Sequence, residues 1–216
     1  MKLDTSKLHL DILDKTRQDL LKKIMPVAKY FVLGGGTALS LQIAHRKSFD
    51  FDFFSEIEIA KDLKEKIVKK ITIEEITVDT GDEFTFYSTD KVKFTFLFYY
   101  YRSYFDIFEF KNGLKIFSVK EIAVKKAYTI GHRGVYRDYF DLFTIFKGKY
   151  INLYEIITGA ESVYKELFNS KLFLEQLVYF KDLPDFDITS INNQQIPSKD
   201  EVKQFLEEEV RKYLKS

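Results

Sequence analysis

The sequence predicts an α+β fold: a mixed sheet with flanking helices over residues 1–117, followed by a helical bundle over residues 118–216. Three observations carry this. Short apolar or alternating runs bounded by turn residues recur up to Phe117. From Ser118 onward the apolar residues recur at helical spacing, between capping signals and closing glycines. The chain has 216 residues, 45% hydrophobic and 31% charged, enough material for a sizeable core.

The elements follow in order. Leu8, Leu10, Ile12, Leu13, Leu20, Leu21 and Ile24 predict an N-terminal helical segment ending near Pro26. Tyr30–Leu33 reads as a buried strand stopped by Gly34-Gly35-Gly36, and residues 37–46, TALSLQIAHR, as a mostly apolar helix. SFDFDFF, residues 48–54, alternates strictly, with Phe49, Phe51 and Phe53 on one face and Asp50 and Asp52 on the other. A slip of one residue in that strand would bury both charges. A helix through Ile59, Leu63 and Ile67 runs to Lys69 and Lys70, and ITIEEITV, EFTFY and KVKFTFLFYY read as strands. DIFEFKNGLKIF is a hairpin turning at Asn112-Gly113.

After residue 117 the period changes. Ser118 and Glu121 form a capping-box signal opening VKEIAVKKAYTI, which Gly131 closes. RDYFDLFTIFKG, LYEIITGAESVYKELF and KLFLEQLVYF are further helices. A break at Pro184/Asp185 follows, then a last helix with a second capping box at Ser198 and Glu201.

Several function classes are excluded. A net charge of +1 gives no overall nucleic-acid signature, so a basic surface has to be local. With no cysteine there are no disulfides or thiolate metal sites. His9, His45 and His132 share no zinc spacing, and no Ser-His-Asp or G-x-S-x-G pattern supports acyl chemistry. No run approaches the ~18 apolar residues of a membrane span, and the first thirty residues are charged throughout, without an apolar core of signal-peptide type. The expected setting is the cytoplasm, without a membrane partner.

Two features point to chemistry. The glycines miss both G-x-G-x-x-G and the phosphate-loop pattern, leaving a strand, a glycine turn and a helix start with Thr37 as candidate cap. Such a turn can aim backbone N–H groups and the helix dipole at an anion, or be a tight turn and nothing more. Asp50 and Asp52, at i and i+2 on a strand, lie ~6.6 Å apart on one face. They can converge on one or two divalent ions or stand solvated on an exposed face.

Taken together, GGGTALSLQIAHRKSFDFDFF resembles the polymerase-β-like nucleotidyltransferase core, and more narrowly the nucleotidyltransferase AbiEii/AbiGii toxin family. SVKEIAVKKAYTIGHRGVYRDYFDLF is similar to that family's second block, and the likeness spans roughly residues 30–146. It implies a nucleotidyltransferase-like sheet domain. Gly35, Gly36 and Thr37 would form the nucleotide turn, Arg46 and Ser48 would lead into the metal strand, and Asp50 and Asp52 would ligate the metal. Lys126 would be the motif lysine near the triphosphate, with Arg133, Arg137, Asp138 and Asp141 in the last block. The residues alone leave Lys126, Asp138 and Asp141 open between substrate contact and pairing within the fold.

The resemblance further implies NMP transfer from an NTP to RNA, such as a tRNA end, or to a protein hydroxyl. It also implies a toxin of a toxin–antitoxin or phage-defence pair, with a cognate antitoxin. Thr95 stands where related enzymes often carry a third carboxylate, and neither Glu83 nor Asp90 is selected by spacing to replace it. That departure admits an alternative, a degenerate fold that binds nucleotide or a partner without turnover.

Overall fold

In the computed structural model, residues 3–183, 188–193 and 195–215 are described. The Pro184/Asp185 break lies outside them. The chain divides into two compact units, Met1–Arg102 with Ile107–Ser118, and Ser103–Asp106 with Val119–Ser216.

In the first unit, α1 (Lys15–Ile24) starts later than the leucine pattern predicts. The Asp14 carboxylate accepts the Arg17 N–H at 2.8 Å, an N-cap that sets the boundary. Leu10 and Ile12 sit instead in a single 3₁₀ turn. β1 (Val32–Gly34) takes in the first glycine and leaves Tyr30 exposed. α2 (Gly35–Ile43) opens directly on the second glycine and ends at Ala44, whose φ of 48° stops the helix before Arg46. β2 (Phe51–Ser55) begins one residue after Asp50. Phe49 therefore lies off the strand, 40% exposed, with the Arg17 guanidinium 5.0 Å above its ring. The predicted helix over 59–70 shortens to α3 (Leu63–Val68), which buries only Leu63 and Ile67.

The remaining strands are β3 (Ile73–Asp79), β4 (Glu83–Ser88), β5 (Lys93–Phe98), β6 (Ile107–Glu109) and β7 (Lys115–Phe117). β6 and β7 make the predicted hairpin, with Gly113 at φ 87° in its turn. The seven described strands form one sheet in the order β3-β4-β5-β2-β1-β7-β6. It is mixed: β2 runs parallel to β5 and β1 to β7, and the other neighbours are antiparallel.

Register places the chemistry. Gly34 pairs with Asp52, Asp52 with Thr95, and Thr95 with Thr85, so one row of small and polar residues crosses four adjacent strands. Residues on either side of that row point to the opposite face and form the core. Phe51 stacks on Phe94 at 5.2 Å, Phe53 on Phe96 at 5.1 Å and Phe86 on Phe94 at 5.1 Å, all fully or almost fully buried. Burying these rings on one face fixes the register and holds Asp52 on the other.

The second unit contains α4 (Val119–Ile130), α5 (Tyr136–Lys147), α6 (Leu153–Tyr164), α7 (Ser170–Leu177) and α8 (Lys199–Lys215). The predicted helix over 153–168 is broken at Lys165, where φ is 49°. Asn152 and Glu155 cap α6 reciprocally, a box that Asn in place of Ser hides from a simple motif scan. The predicted box at Ser198 is present, with the Glu201 N–H donating to Ser198 Oγ at 3.2 Å and the Ser198 N–H to Glu201 Oε2 at 2.7 Å. No strand occurs beyond residue 150 among the described residues, and none of their helices is long and apolar enough to cross a membrane.

Candidate functional site

Three glycines shape the turn at the start of α2, and each leaves room for a different neighbour. A Cβ on Gly34 would stand 2.5 Å from the Phe54 ring and 3.0 Å from that of Phe117. Gly35 has φ +66°, and its missing Cβ would fall inside van der Waals contact of Asp52 Oδ2. On Gly36 the added atom would meet Arg46 Nη2 at 2.5 Å and Ser48 Oγ at 3.0 Å. The Asp52 carboxylate and the Arg46 guanidinium thus both rest against bare backbone at the positive end of α2.

Thr37 does not cap this helix. The N-cap is Gly34, without a side-chain bond, and Thr37 lies inside the first turn, 1% exposed. Its hydroxyl donates to the carbonyl oxygen of Asp50 and lies 2.9 Å from Ser48 Oγ. Thr37 thereby ties the entry to β2 onto α2. Arg46 is almost wholly buried and donates to the Lys47 carbonyl at 3.0 Å. Gly35, Gly36, Thr37, Arg46, Ser48 and Asp52 thus form one contiguous cluster, with Asp50 held at its edge by its own main chain.

The donors suit a hard cation. Asp50 and Asp52 are both half-buried, and the Asp52 carboxylate stands at the start of α2. Among the described residues no group of three or more acids or histidines comes together as a complete metal cage. Mg²⁺ does not need one: it takes one or two carboxylates and completes its shell with water and substrate phosphate. Thr95 stands beside Asp52 in register, so the sheet offers a hydroxyl where a further carboxylate would sit. Of the two acids that spacing could not choose between, Glu83 is on the same sheet face and accepts the Thr85 hydroxyl at 2.6 Å. Asp90 is exposed in the β4–β5 turn.

Within the second unit, Lys126 on α4 meets Asp138 and Asp141 on α5. Its ammonium lies 2.7 Å from Asp138 Oδ1 and 2.6 Å from Asp141 Oδ2, with side-chain exposures of 8%, 9% and 0%. Arg133, largely exposed, approaches Asp138 Oδ2 at 3.7 Å, and that oxygen accepts no hydrogen bond. Burial, with the Asp138 charge adding to it, pushes the Tyr139 phenol up to about 12. The other two lysines of α4 also have acidic partners. Lys120 pairs with Glu155 at 3.0 Å and Lys125 with the fully buried Glu121 at 3.1 Å. Glu121, which sequence reading takes only as a capping residue, also accepts the main-chain N–H groups of Tyr104 and Phe105 at 2.9 Å each. Its i,i+4 spacing from Lys125 is the signal that could have marked it.

A family model described as nucleotidyl transferase AbiEii toxin, type IV toxin–antitoxin system, matches residues 19–215. The chain belongs to this family. As an AbiEii-family protein it is a nucleotidyltransferase. An uncharacterised protein of Aquifex aeolicus (strain VF5), aq_aa25, is 30% identical over 210 residues, covering 94% of this chain and 98% of that protein. Two solved structures share the fold. One, from H. pylori and assigned as a nucleotidyltransferase, is 19% identical with a TM-score of 0.57, covering 99% of this chain and 96% of that one. The other is the nucleotidyltransferase toxin MenT4 of Mycobacterium tuberculosis H37Rv. It is 16% identical with a TM-score of 0.54, covering 89% of this chain and 83% of that one. The AbiEii match runs through α8, well past the motif blocks, so the helices after residue 146 belong to the family pattern too.

The glycine turn yields a direct expectation. Gly35→Ala should lower the melting temperature by several degrees, since a non-glycine residue in this region costs roughly 1–3 kcal/mol, and should also displace the Asp52 carboxylate. Gly113→Ala is the control: its φ is +87° but nothing lies within 4 Å of the added carbon. Thermal melting with and without Mg²⁺ and NTP should show both variants destabilised and only Gly35→Ala without the ligand-induced rise. Equal ligand responses would disprove the role assigned to the turn.

Proposed function

We propose that this AbiEii-family nucleotidyltransferase is a cytoplasmic, Mg²⁺- or Mn²⁺-dependent enzyme that transfers a nucleoside monophosphate from an NTP to an RNA or protein hydroxyl, releasing pyrophosphate. It acts as the toxin of a toxin–antitoxin or phage-defence pair, with a cognate antitoxin protein. The observation that carries this reading is the Asp52 carboxylate lodged against the positive-φ Gly35 at the start of α2. A turn of that shape offers backbone N–H groups to phosphate oxygens and a carboxylate to a cation within one small volume.

Asp50 and Asp52 would hold the metal, which when bound neutralises charge on the phosphates. The main-chain N–H groups of Gly35 and Gly36 and the positive end of α2 orient the outer phosphate oxygens. Arg46 and Ser48, packed on Gly36, back that surface and add donors. Thr37 keeps Asp50 in place through its carbonyl. The resemblance assigns Lys126 to the leaving pyrophosphate, with Asp138 and Asp141 aligning its ammonium and Arg133 beside them. The acceptor hydroxyl oxygen bonds to the α-phosphorus and gives up its proton to water as the bond from that phosphorus to the bridging oxygen of the β-phosphate breaks, releasing pyrophosphate.

The test is incubation of pure protein with each labelled NTP, Mg²⁺ or Mn²⁺, and total RNA. Label in RNA or in protein is the expected result. Intact nucleotide binding with no label in either would set the transfer reading aside for a fold that binds without turnover, the outcome Thr95 beside Asp52 would explain.

A further inference from the structure

The tyrosines that follow β5 have no part in the chemistry above, yet their packing leads to it. Phe54 lies two residues after Asp52 on β2 and so stands on the same sheet face. Its ring contacts Phe117 at 5.6 Å and meets Tyr99 edge-on at 5.5 Å. Tyr99 leads to Tyr101 at 5.4 Å, and Tyr101 to Tyr100 at 5.8 Å. The Tyr99 N–H donates to the Ser55 carbonyl at 2.6 Å, fixing the start of this segment to the end of β2. The ladder thus begins against Gly34 and ends at Tyr100, which is 77% exposed. Arg102 follows it, exposed, and no acidic residue occurs between Asp90 and Asp106.

Aromatic rings that serve only a core are covered, whereas Tyr100, at the end of a connected series, is open to solvent. We propose that this ladder carries a single-stranded nucleic-acid acceptor, its bases stacking on Tyr100 and Tyr101 and its terminal hydroxyl directed past Phe54 toward Asp52. The inference rests on the nucleotidyltransferase reading and names the acceptor class that reading leaves open. Stacking is sequence-tolerant because every base has a π-face, and it requires unpaired bases, which a duplex hides. Arg102 supplies a guanidinium for a phosphate or a stacked base, in a segment without a repelling carboxylate. With a single cation, most of the affinity comes from the rings, so the salt dependence should be shallow.

The experiment is fluorescence anisotropy of the full chain with a labelled mixed-sequence RNA of about twelve nucleotides, single-stranded or as a blunt duplex. Wild type should bind the single strand more tightly. Tyr100→Ala and Tyr101→Ala should each weaken that binding roughly tenfold, the usual effect of removing one stacking ring, while the two Phe variants restore it. All four should keep the thermal shift caused by Mg²⁺ and NTP. Equal binding of duplex and single strand, or alanine variants that bind like wild type, would overturn the ladder alone and leave nucleotide transfer standing. Transfer to a protein with no RNA bound would overturn it in favour of a protein acceptor. RNA binding through the tyrosines in a wild-type protein that shows no NTP shift would overturn the acceptor path together with the reading it rests on.

Discussion

Asp52→Asn is expected to abolish Mg²⁺-dependent nucleotide binding while leaving the apoprotein's melting temperature within a few degrees of wild type. Two opposing terms set the stability side. Without metal, Asp50 and Asp52 repel each other, and losing one charge relieves that. The Asp52 carboxylate also sits at the start of α2, where a helix dipole favours a negative charge by about 0.3–1 kcal/mol. The two have opposite signs, and a chain of this size shifts by about 2–4 °C per kcal/mol. Asp50→Asn should behave in the same way. The ligand side has no such compensation, because an amide is a poor replacement for an anionic metal ligand. The measurement is thermal melting of both variants with and without Mg²⁺ and NTP. Loss of roughly 3–5 kcal/mol in the apoprotein would mark a broken structural pair and sink the metal assignment, as would a ligand-induced shift equal to that of wild type.

Lys126→Met should behave in the opposite way, with a larger loss of stability than either aspartate variant or Gly35→Ala. Removing this ammonium leaves Asp141, wholly buried, and Asp138, nearly so, facing each other without their shared cation. Deleting one member of a buried ion pair typically costs ~3–5 kcal/mol, or roughly 6–20 °C for a chain of this length. The double variant Lys126→Met/Asp141→Asn should recover part of that loss, since one of the two stranded charges is gone. A melting point within two or three degrees of wild type (about 1 kcal/mol) would show that the triad contributes little. Nucleotide binding of the single variant, measured well below its transition, separates the remaining possibility: a lost NTP response in a folded protein places Lys126 at the phosphates.

The contrast between these residues shows what could be read from the chain and what could not. The glycine turn was legible because close packing against a carboxylate and a positive φ leave a mark that only glycine satisfies. The D-x-D strand was legible because its alternating phenylalanines allow one register. Asp50 was misplaced by one residue, since Phe49 extends the alternation in sequence while Arg17 draws its ring outside the sheet. Thr37 looks like a cap, but the helix begins two residues earlier and frees its hydroxyl for Asp50. Lys126 was the hardest. Its burial depends on how α4 packs against α5, and nothing next to it in KEIAVKKAYTI distinguishes it from Lys125. Lys120 and Lys125 have acidic partners too, Glu155 on α6 and Glu121 on α4 itself.

The placement of Tyr104 and Phe105 bears on how this protein can be cut. Residues 103–106 leave the sheet unit, give two main-chain N–H groups to the buried Glu121, and return before β6. The polypeptide therefore passes between the units three times, at 102–103, 106–107 and 118–119. A truncation after Phe117 would delete Glu121 and strand those amides, and a fragment starting at Ser118 would leave a buried carboxylate without two of its donors. Limited proteolysis at a single bond between the units would leave both fragments incomplete, so a clean separation into two soluble halves is not to be expected of this chain.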